Sequence, residues 1–172
     1  GSVARLHPTK GLNTLLTAAQ TLQSQYPKLH VLIIGEGPLR SALEEQAKGY
    51  NLAYTFPGYL PQAYLALPAM DIFVLPSVSE GMGLVLLEAM QAHLPLVATA
   101  VGGIPEVIRP SRDGLLIPSQ QPQELAQALE KLLRGPSLAQ ALVHSGAKRW
   151  QDFSLQEMLR QTENFYREIL QG

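Results

Sequence analysis

The sequence predicts a doubly wound α/β fold, with a mainly parallel six-stranded sheet covered by helices on both faces. Apolar runs of strand length alternate with helical repeats between residues 2 and 117, which is typical of β/α units. The run Leu29–Ile34 has apolar residues on both faces, as expected for a strand that is covered on both sides. After Pro118 the pattern is helical alone, which predicts a helical tail at the C-terminal end.

Each predicted strand is an apolar run that ends at a turn and is followed by a helical repeat. These runs place strands over residues 2–6, 29–34, 52–56, 71–75, 95–99 and 114–117. Leucine and alanine then recur every three or four residues, which places helices over 10–25, 39–48, 61–68 and 84–92, with a further helical start at 104–108. In the tail, helices are expected over 125–132, 136–150 and 155–169, the last one opened by a capping box of Ser154 and Glu157.

Length and composition limit the possible functions. A chain of 172 residues is long enough for one domain with a full core, so we expect a single domain over residues 1–172. The net charge of −1 provides no field that would attract nucleic acid or an anionic membrane. The absence of cysteine excludes disulfides and thiolate metal sites, and it fits a reducing compartment such as the cytoplasm. We find no apolar run of the roughly 18 residues that span a bilayer and no signal peptide.

The most informative segment runs from Ser79 to Met90 and contains two carboxylates eight positions apart, Glu80 and Glu88. A helix is expected to begin just after Gly81 and Gly83, so that Glu80 lies in the loop and Glu88 lies within the helix. An acid buried among leucines costs several kcal/mol unless it is satisfied, which argues against a packing role for Glu88. The glycine-rich helix start offers free N–H groups to an anion, and carboxylates accept hydrogen bonds from vicinal hydroxyls. The segment therefore suggests a site for a phosphorylated sugar or a nucleotide.

Two cations precede this segment at the end of the first predicted strand. Arg5 ends the strand, and Lys10 with Gly11 opens the next helix. Ligands of doubly wound sheets collect at the carboxyl ends of the strands, where two cations are able to neutralise a diphosphate. Ordinary solvated surface charge is the alternative for each residue taken alone.

Two further glycine turns follow predicted strands. The first contains Gly35 and Gly37, but Arg40 stands where a dinucleotide fingerprint has its third glycine, so a tight turn is the better interpretation. The second contains Gly102 and Gly103 and precedes Glu106, which either contacts a ligand or is an acid of the helix's first turn, the interpretation that we favour.

Other common chemistries have no motif here. The four histidines lack metal-ligand spacing, Ser77 and Ser79 lack the hydrolase elbow, and there is no Walker loop. We therefore expect no metal and no cofactor. Met82, Met90 and the leucines around them are interpreted as core.

Taken in order, these segments resemble the C-terminal domain of a GT-B-fold retaining glycosyltransferase of family 4, the glycosyl transferases group 1. The resemblance spans nearly the whole chain and implies a Rossmann-like domain that is one half of the GT-B fold. It departs from the family at His93, where the family usually has glycine, and at Gln120-Gln121, which replaces a common acid. It rests on segments 3–6, 10–11, 34–38, 56–59, 71–77, 80–88, 95–99, 102–106 and 114–116.

The resemblance implies a role for each residue of the site. Arg5 and Lys10 would hold the donor diphosphate, Glu88 the ribose and Glu80 the transferred sugar, so that Glu80 is not expected to affect a nucleotide that lacks the sugar. The turn with Gly35 and Gly37 would also contact the nucleotide sugar. The Gly81, Met82, Gly83 and Leu84 backbone would lie near sugar and phosphate, and Tyr59 and Leu60 would lie by the base.

The resemblance also implies what the whole protein does. The full-length enzyme would transfer a sugar from a nucleoside diphosphate such as UDP or GDP to an acceptor hydroxyl, with retention of configuration and without a metal. The acceptor would bind a separate N-terminal domain, to which the helix at 154–170 would cross back, and the isolated domain would be inactive. We expect a role in carbohydrate biosynthesis in the cytoplasm, with peripheral membrane association possible for the full protein. A non-catalytic nucleotide-sugar-binding module and a sugar-nucleotide epimerase remain as alternatives.

Overall fold

All six strands of the protein are parallel in its computed structural model, which describes residues 1–171 and the side chains of residues 1–170. The strands are β1 (Ser2–Val3), β2 (His30–Ile34), β3 (Ala53–Gly58), β4 (Phe73–Leu75), β5 (Leu96–Thr99) and β6 (Leu115–Ile117). The helices are α1 (Leu12–Leu22), α2 (Arg40–Gly49), α3 (Leu84–Gln91), α4 (Ile104–Val107), α5 (Pro122–Arg134), α6 (Pro136–Arg149) and α7 (Leu155–Gln171). Short 3₁₀ turns lie at Pro8–Lys10, Ala63–Ala69 and Trp150–Phe153.

The predicted doubly wound α/β fold with six parallel strands is confirmed, and the strands are divided between two three-stranded sheets, in the orders β1-β2-β3 and β4-β5-β6. The two sheets are joined at the start of β1, where the amino group of Gly1 donates to the carbonyl of Ile72 at 2.7 Å and the N–H of Val74 donates to the carbonyl of Gly1 at 2.8 Å. Past Val3 the chain keeps its backbone bonds to the segment that follows β2, since the N–H of Ala4 donates to the carbonyl of Ile34 and the N–H of Leu6 donates to the carbonyl of Glu36. The resulting order, β3-β2-β1-β4-β5-β6, places the topological switch point between β1 and β4.

Helices cover both faces of the strands, as predicted. Alternate strand residues point to opposite sides, so that Ile33 belongs to one core cluster and Ile34 to the other. The first cluster packs the strands against α1, α2 and α5, and the second packs them against α3 and α4. The sheet is therefore buried on both faces, which explains its almost continuous apolar runs.

Two predicted helices begin and end differently in the structure. The helix expected over 10–25 is a 3₁₀ turn at Pro8–Lys10 followed by α1, because Gly11 takes the left-handed conformation with φ 59° and interrupts it. The helix expected over 61–68 is the 3₁₀ turn Ala63–Ala69. His93 also has a positive φ of 57°, a conformation in which glycine is favoured.

The last helix, α7, begins with half of the predicted capping box. The N–H of Glu157 donates to Ser154 Oγ at 3.2 Å, but the carboxylate of Glu157 accepts from Arg160 Nε at 2.8 Å instead of returning to the backbone of Ser154. A guanidinium is the stronger partner for a carboxylate. All seven large apolar side chains of α7 are more than half exposed, namely Leu155, Met158, Leu159, Phe165, Tyr166, Ile169 and Leu170.

Within the described residues, none of the helices has the length and apolar character needed to cross a lipid bilayer.

Candidate functional site at the carboxyl edge of the strands

An ion pair joins the loop after β1 to the loop after β4. Lys10 Nζ lies 2.6 Å from Glu80 Oε2, and Ser77 Oγ donates to the same carboxylate oxygen at 3.0 Å. The pair is largely shielded, with 21% of the Lys10 side chain and 13% of the Glu80 side chain exposed. Two residues that lie 70 positions apart in the sequence thus meet at the switch point of the strand order.

The backbone holds these two loops together. The carbonyl of Thr9 accepts hydrogen bonds from the N–H groups of Val78, at 2.8 Å, and Ser79, at 3.3 Å. Gly11 lies so close to the end of β4 that a Cβ at this position would be 2.1 Å from the carbonyl oxygen of Pro76. Lys10 is therefore directed at Glu80 by the fold itself.

The turn with Gly102 and Gly103 contacts the backbone of the Glu80 loop. Gly102 has φ 53°, and a Cβ there would lie 1.8 Å from the carbonyl oxygen of Glu80. The N–H of Gly103 donates to the carbonyl of Gly81 at 2.7 Å. The Gly102-Gly103 turn thus holds the backbone of the Glu80 loop in place. Glu106 lies exposed in the first turn of α4.

Helix α3 begins at the same place with free N–H donors. Gly83 is its N-cap residue, with φ 70°, and no backbone hydrogen bond within the described residues has Met82, Gly83 or Leu84 as its donor. Met82 is 41% exposed and Leu84 is 64% exposed, so our assignment of the leucines here and of Met82 to the core was wrong for these two residues. Met90 is buried, as predicted. The N-terminus of α3 is therefore open to an anion.

Glu88 lies on the exposed face of α3, one turn beyond Leu84. Our concern that it would be an acid buried among leucines does not apply, because the leucine side chains that pack in the core, such as Leu86, lie on the other face of the helix. Among the described residues Glu88 makes no side-chain hydrogen bond or ion pair, so its carboxylate is available to a ligand.

Arg5 lines a cavity of about 480 Å³ at the carboxyl ends of β1 and β2. Gly35, Tyr59 and Leu60 also line it, together with Glu36. Tyr59 is 70% exposed, and Arg5 is exposed and makes no ion pair within the described part of the chain. Gly37 lies in the same turn as Gly35, next to the carbonyl oxygen of Leu6. The structure thus groups four of the predicted site residues around one cavity.

The predicted site residues therefore fall into two neighbouring groups at one edge of the strands. Lys10 and Glu80 contact each other directly, and Arg5 lines the cavity that it shares with Tyr59 and Leu60. Glu88 contacts neither group. Sequence reasoning missed Ser77 as a partner of Glu80, although its place at the end of a predicted strand, three residues before Glu80, is a signal for such a contact.

A buried carboxylate also escaped the sequence analysis. Asp113 is 1% exposed and accepts hydrogen bonds from Arg109 Nε at 2.6 Å, Arg109 Nη2 at 2.8 Å and Ser145 Oγ at 2.8 Å. Burial raises the pKa of Asp113, but the bonds from Arg109 and Ser145 outweigh it and leave the pKa below its usual value. Arg149 donates to the carbonyls of Glu106 and Val107 at the end of α4. These contacts anchor α4, and with it the Gly102-Gly103 turn, to α6.

The described residues contain no group of three or more histidine, aspartate or glutamate side chains arranged to hold a metal ion.

Comparison with known proteins identifies the family. The chain matches the model of the family Glycosyl transferases group 1 over residues 1–149. It is 32% identical over 180 residues to the putative colanic acid biosynthesis glycosyltransferase WcaL of Salmonella typhimurium. The aligned region covers 98% of this chain and 44% of that protein.

Two solved structures share the fold. The C-terminal domain of the glycosyl transferase group 1 family protein LpcC from Francisella tularensis matches with a TM-score of 0.81 and 27% identity, over 88% of this chain and 84% of that chain. Alr3699/HepE from Anabaena, solved in complex with UDP, matches with a TM-score of 0.89 and 22% identity, over 98% of this chain and 48% of that chain.

The fold and the edge site define a Rossmann-like domain of the GT-B glycosyltransferase class. The chain belongs to the group 1 glycosyl transferase family, which confirms the resemblance seen in its sequence. It spans less than half the length of WcaL, with 44% of that protein covered.

Proposed function

We propose that this chain is the donor-binding domain of a glycosyltransferase and that it binds a nucleoside diphosphate sugar at the edge formed by β1 and β4. The observation that carries the proposal is the shielded contact of Lys10 with Glu80 beside the open N-terminus of α3. A cation and free N–H groups favour a diphosphate, and a carboxylate next to them favours sugar hydroxyls.

The two groups of residues divide the donor between them. Lys10, Arg5 and the N–H groups of α3 bind the diphosphate, and Glu80 binds the transferred sugar. Glu88 accepts hydrogen bonds from the ribose hydroxyls, because its carboxylate is exposed on α3. The cavity lined by Tyr59 and Leu60 receives the base. UDP is the first nucleotide to test, since Alr3699/HepE has been solved with UDP.

In the longer enzyme this arrangement assists departure of the nucleoside diphosphate. Negative charge grows on the leaving diphosphate as the glycosidic bond breaks, and the fixed charges of Arg5 and Lys10 stabilise it without reorganisation. We propose that the enzyme retains the anomeric configuration and acts without a metal. The acceptor binds to another domain, against which the exposed apolar side chains of α7 pack, and the isolated chain transfers no sugar. We place the whole protein in carbohydrate biosynthesis in the cytoplasm.

Calorimetric titration of the chain with UDP, GDP and ADP tests the donor site. Charge-assisted hydrogen bonds contribute roughly 1.5–3 kcal/mol each, so Lys10→Met and Glu88→Gln should each weaken binding about tenfold or more. Lys48→Met and Glu45→Gln are matched controls, because both residues are exposed on α2 and outside both groups. Titrations with EDTA and with Mg²⁺ test the proposed independence from metal.

The proposal fails if none of the nucleotides binds to the folded chain. It also fails if the two control variants lose as much affinity as Lys10→Met and Glu88→Gln. A strict requirement for Mg²⁺ would overturn the metal-independent part alone.

A further inference from the structure

Both donors that hold the Glu80 side chain bind the same oxygen of its carboxylate. Lys10 Nζ lies 2.6 Å from Oε2, and Ser77 Oγ donates to Oε2 at 3.0 Å. An ionised carboxylate has about four lone-pair sites, two on each oxygen, so these two donors saturate Oε2. Within the described residues, no hydrogen bond or ion pair reaches the other oxygen, Oε1. The fold therefore holds one oxygen of Glu80 and leaves the other free.

Ser77 is the buried member of this pair of donors. The residue is 0% exposed and lies just past the end of β4. A buried hydroxyl needs a hydrogen-bond partner, and in the part of the chain that the structure describes Ser77 Oγ bonds to Glu80 alone. The bond thus joins the interior of the protein to a carboxylate at the edge of the candidate site.

Neighbouring strands hold the backbone of Ser77 in place. Its carbonyl accepts from Thr99 Oγ1 at 2.6 Å, at the end of β5, and from Ser119 Oγ at 3.3 Å, just past β6. Thr99 is itself fully buried. The Ser77 hydroxyl is therefore presented from a support that three strand ends build, and the Glu80 loop is tied to this support.

The Glu80 side chain passes beside the start of α3. A Cβ at Gly83 would lie 3.5 Å from Glu80 Cγ, so the side chain runs past the N-cap residue of this helix. Of the Glu80 side chain 13% is exposed, whereas Oε2 is covered by Lys10 and by the buried Ser77. The free oxygen, Oε1, is therefore the acceptor that is left to a ligand.

We propose that Ser77 is a positioning residue for the donor sugar. It keeps Oε2 of Glu80 against Lys10, so that Oε1 accepts a hydrogen bond from a hydroxyl of the transferred sugar. The role of Ser77 rests on the proposed function, in which Glu80 binds that sugar. Without Ser77 the carboxylate has Lys10 as its one partner and rotates about its Cγ–Cδ bond. The sugar then loses affinity, because a hydrogen bond weakens as its angle departs from linear.

A ratio of two dissociation constants isolates the contribution of the sugar. Calorimetric titration of the folded chain gives the Kd of a nucleoside diphosphate and that of its nucleotide sugar, and the first divided by the second is here called the sugar factor. The pairs are UDP with UDP-glucose, UDP with UDP-N-acetylglucosamine, and GDP with GDP-mannose. Effects on the base, ribose and diphosphate are common to both members of a pair and cancel. The pair with the largest sugar factor in the unaltered chain is then used for every variant.

Ser77→Ala should lower the sugar factor about threefold or more, because the orientation of Oε1 is lost. Ser79→Ala is the matched control and should leave the sugar factor unchanged. Ser79 is exposed and lies next to Glu80 in the same loop, and its side chain makes no hydrogen bond among the described residues. Where Ser77→Ala fails to fold, Ser77→Cys takes its place, since it keeps the size of the side chain and offers only a weak S–H donor. It should lower the sugar factor as well.

A second background separates positioning from a general structural role. Glu80→Ala removes the carboxylate that Ser77 holds, so adding Ser77→Ala to it should change the sugar factor no further. A purely structural effect of Ser77 on the loop would lower the sugar factor in both backgrounds, and that result would overturn the proposal. An unchanged sugar factor in the single Ser77→Ala variant would overturn it as well.

The same titrations distinguish a failure of Ser77 from a failure of the proposed function. If no nucleotide binds to the folded chain, the proposed function fails and the role of Ser77 fails with it. If Glu80→Ala leaves the sugar factor unchanged, nucleotide binding stands but Glu80 does not bind the sugar, which also overturns the role of Ser77. If Glu80→Ala lowers the sugar factor and Ser77→Ala does not, the role of Ser77 alone is wrong.

Discussion

Replacing Glu80 by glutamine should make the chain bind UDP more tightly. From the sequence alone Glu80 was expected to leave UDP affinity unchanged, because UDP lacks the sugar. The structure changes that expectation, since the carboxylate of Glu80 forms an ion pair with Lys10, with 2.6 Å between Oε2 and Nζ. A diphosphate must share this ammonium with the carboxylate or displace it, and it also meets the negative charge of Glu80.

The magnitude follows from the bond that competes with the phosphate. A hydrogen bond to a charged group contributes roughly 1.5–3 kcal/mol. The pair is partly exposed, with 21% of the Lys10 side chain and 13% of the Glu80 side chain accessible, and Lys10 has two other N–H donors. Competition from Glu80 therefore reduces the binding free energy of the diphosphate by only part of this amount. We expect a gain of about 1–2 kcal/mol, which corresponds to roughly 5- to 30-fold tighter binding of UDP.

Calorimetric titration of the folded Glu80→Gln variant with UDP measures this directly. Glu45→Gln, at an exposed position of α2, is the control for a change of one charge and should leave the affinity unaltered. In the full-length enzyme the same Glu80 variant should transfer sugar more slowly. Unchanged or weaker UDP binding by a variant with a native melting temperature would refute the competition between Glu80 and the diphosphate.

Urea unfolding tests three further predictions. Gly102→Ala should lower stability by about 2 kcal/mol or more, because it requires φ 53° and brings a Cβ to 1.8 Å from the carbonyl of Glu80. Asp113→Asn should cost about 2–4 kcal/mol, because it removes the charge that pairs with Arg109 at a buried site. The chain should lose up to about 4 kcal/mol as the pH falls from 8 to 5, because the unfolded chain then takes up a proton at Gly1 that the folded chain, with a pKa of about 5, does not bind.

Each of these has a control within the same molecule. Gly49→Ala meets no atom within 4 Å and should leave stability unchanged or slightly raised. Asp152→Asn breaks an exposed pair and should change stability by less than about 1 kcal/mol. A chain extended at Gly1 should lose the part of the pH dependence that belongs to the amino group. If a variant and its control behave alike, the corresponding interpretation is wrong.

The sequence predicted the strands well because strands that are buried on both faces leave almost continuous apolar runs. It could not predict that β1 comprises only Ser2–Val3, since the extent of a strand depends on its pairing with β2 and not on its own residues alone. The interruption of the first helix at Gly11 depends on its contact with Pro76, a residue that lies 65 positions away.

For the site, strand ends and glycine turns indicated where Lys10 and Glu80 lie but not that they bind each other. The Asp113 cluster left no signal, because Arg109 and Asp113 are four residues apart in a segment that is not helical, where this spacing predicts no contact. Whether the named residues perform the proposed roles stays a prediction that the titrations above address.

The isolation of α7 has a consequence for how the chain unfolds. Its 17 residues bury little apolar surface, and its side-chain ion pairs, such as Arg160 with Glu157, are local. A helix of this length is only marginally stable in water without tertiary packing. We therefore expect α7 to melt as a separate unit before the sheet does, with rapid amide exchange along its length. Its helical signal would then report docking to a second domain more sensitively than any property of the sheet.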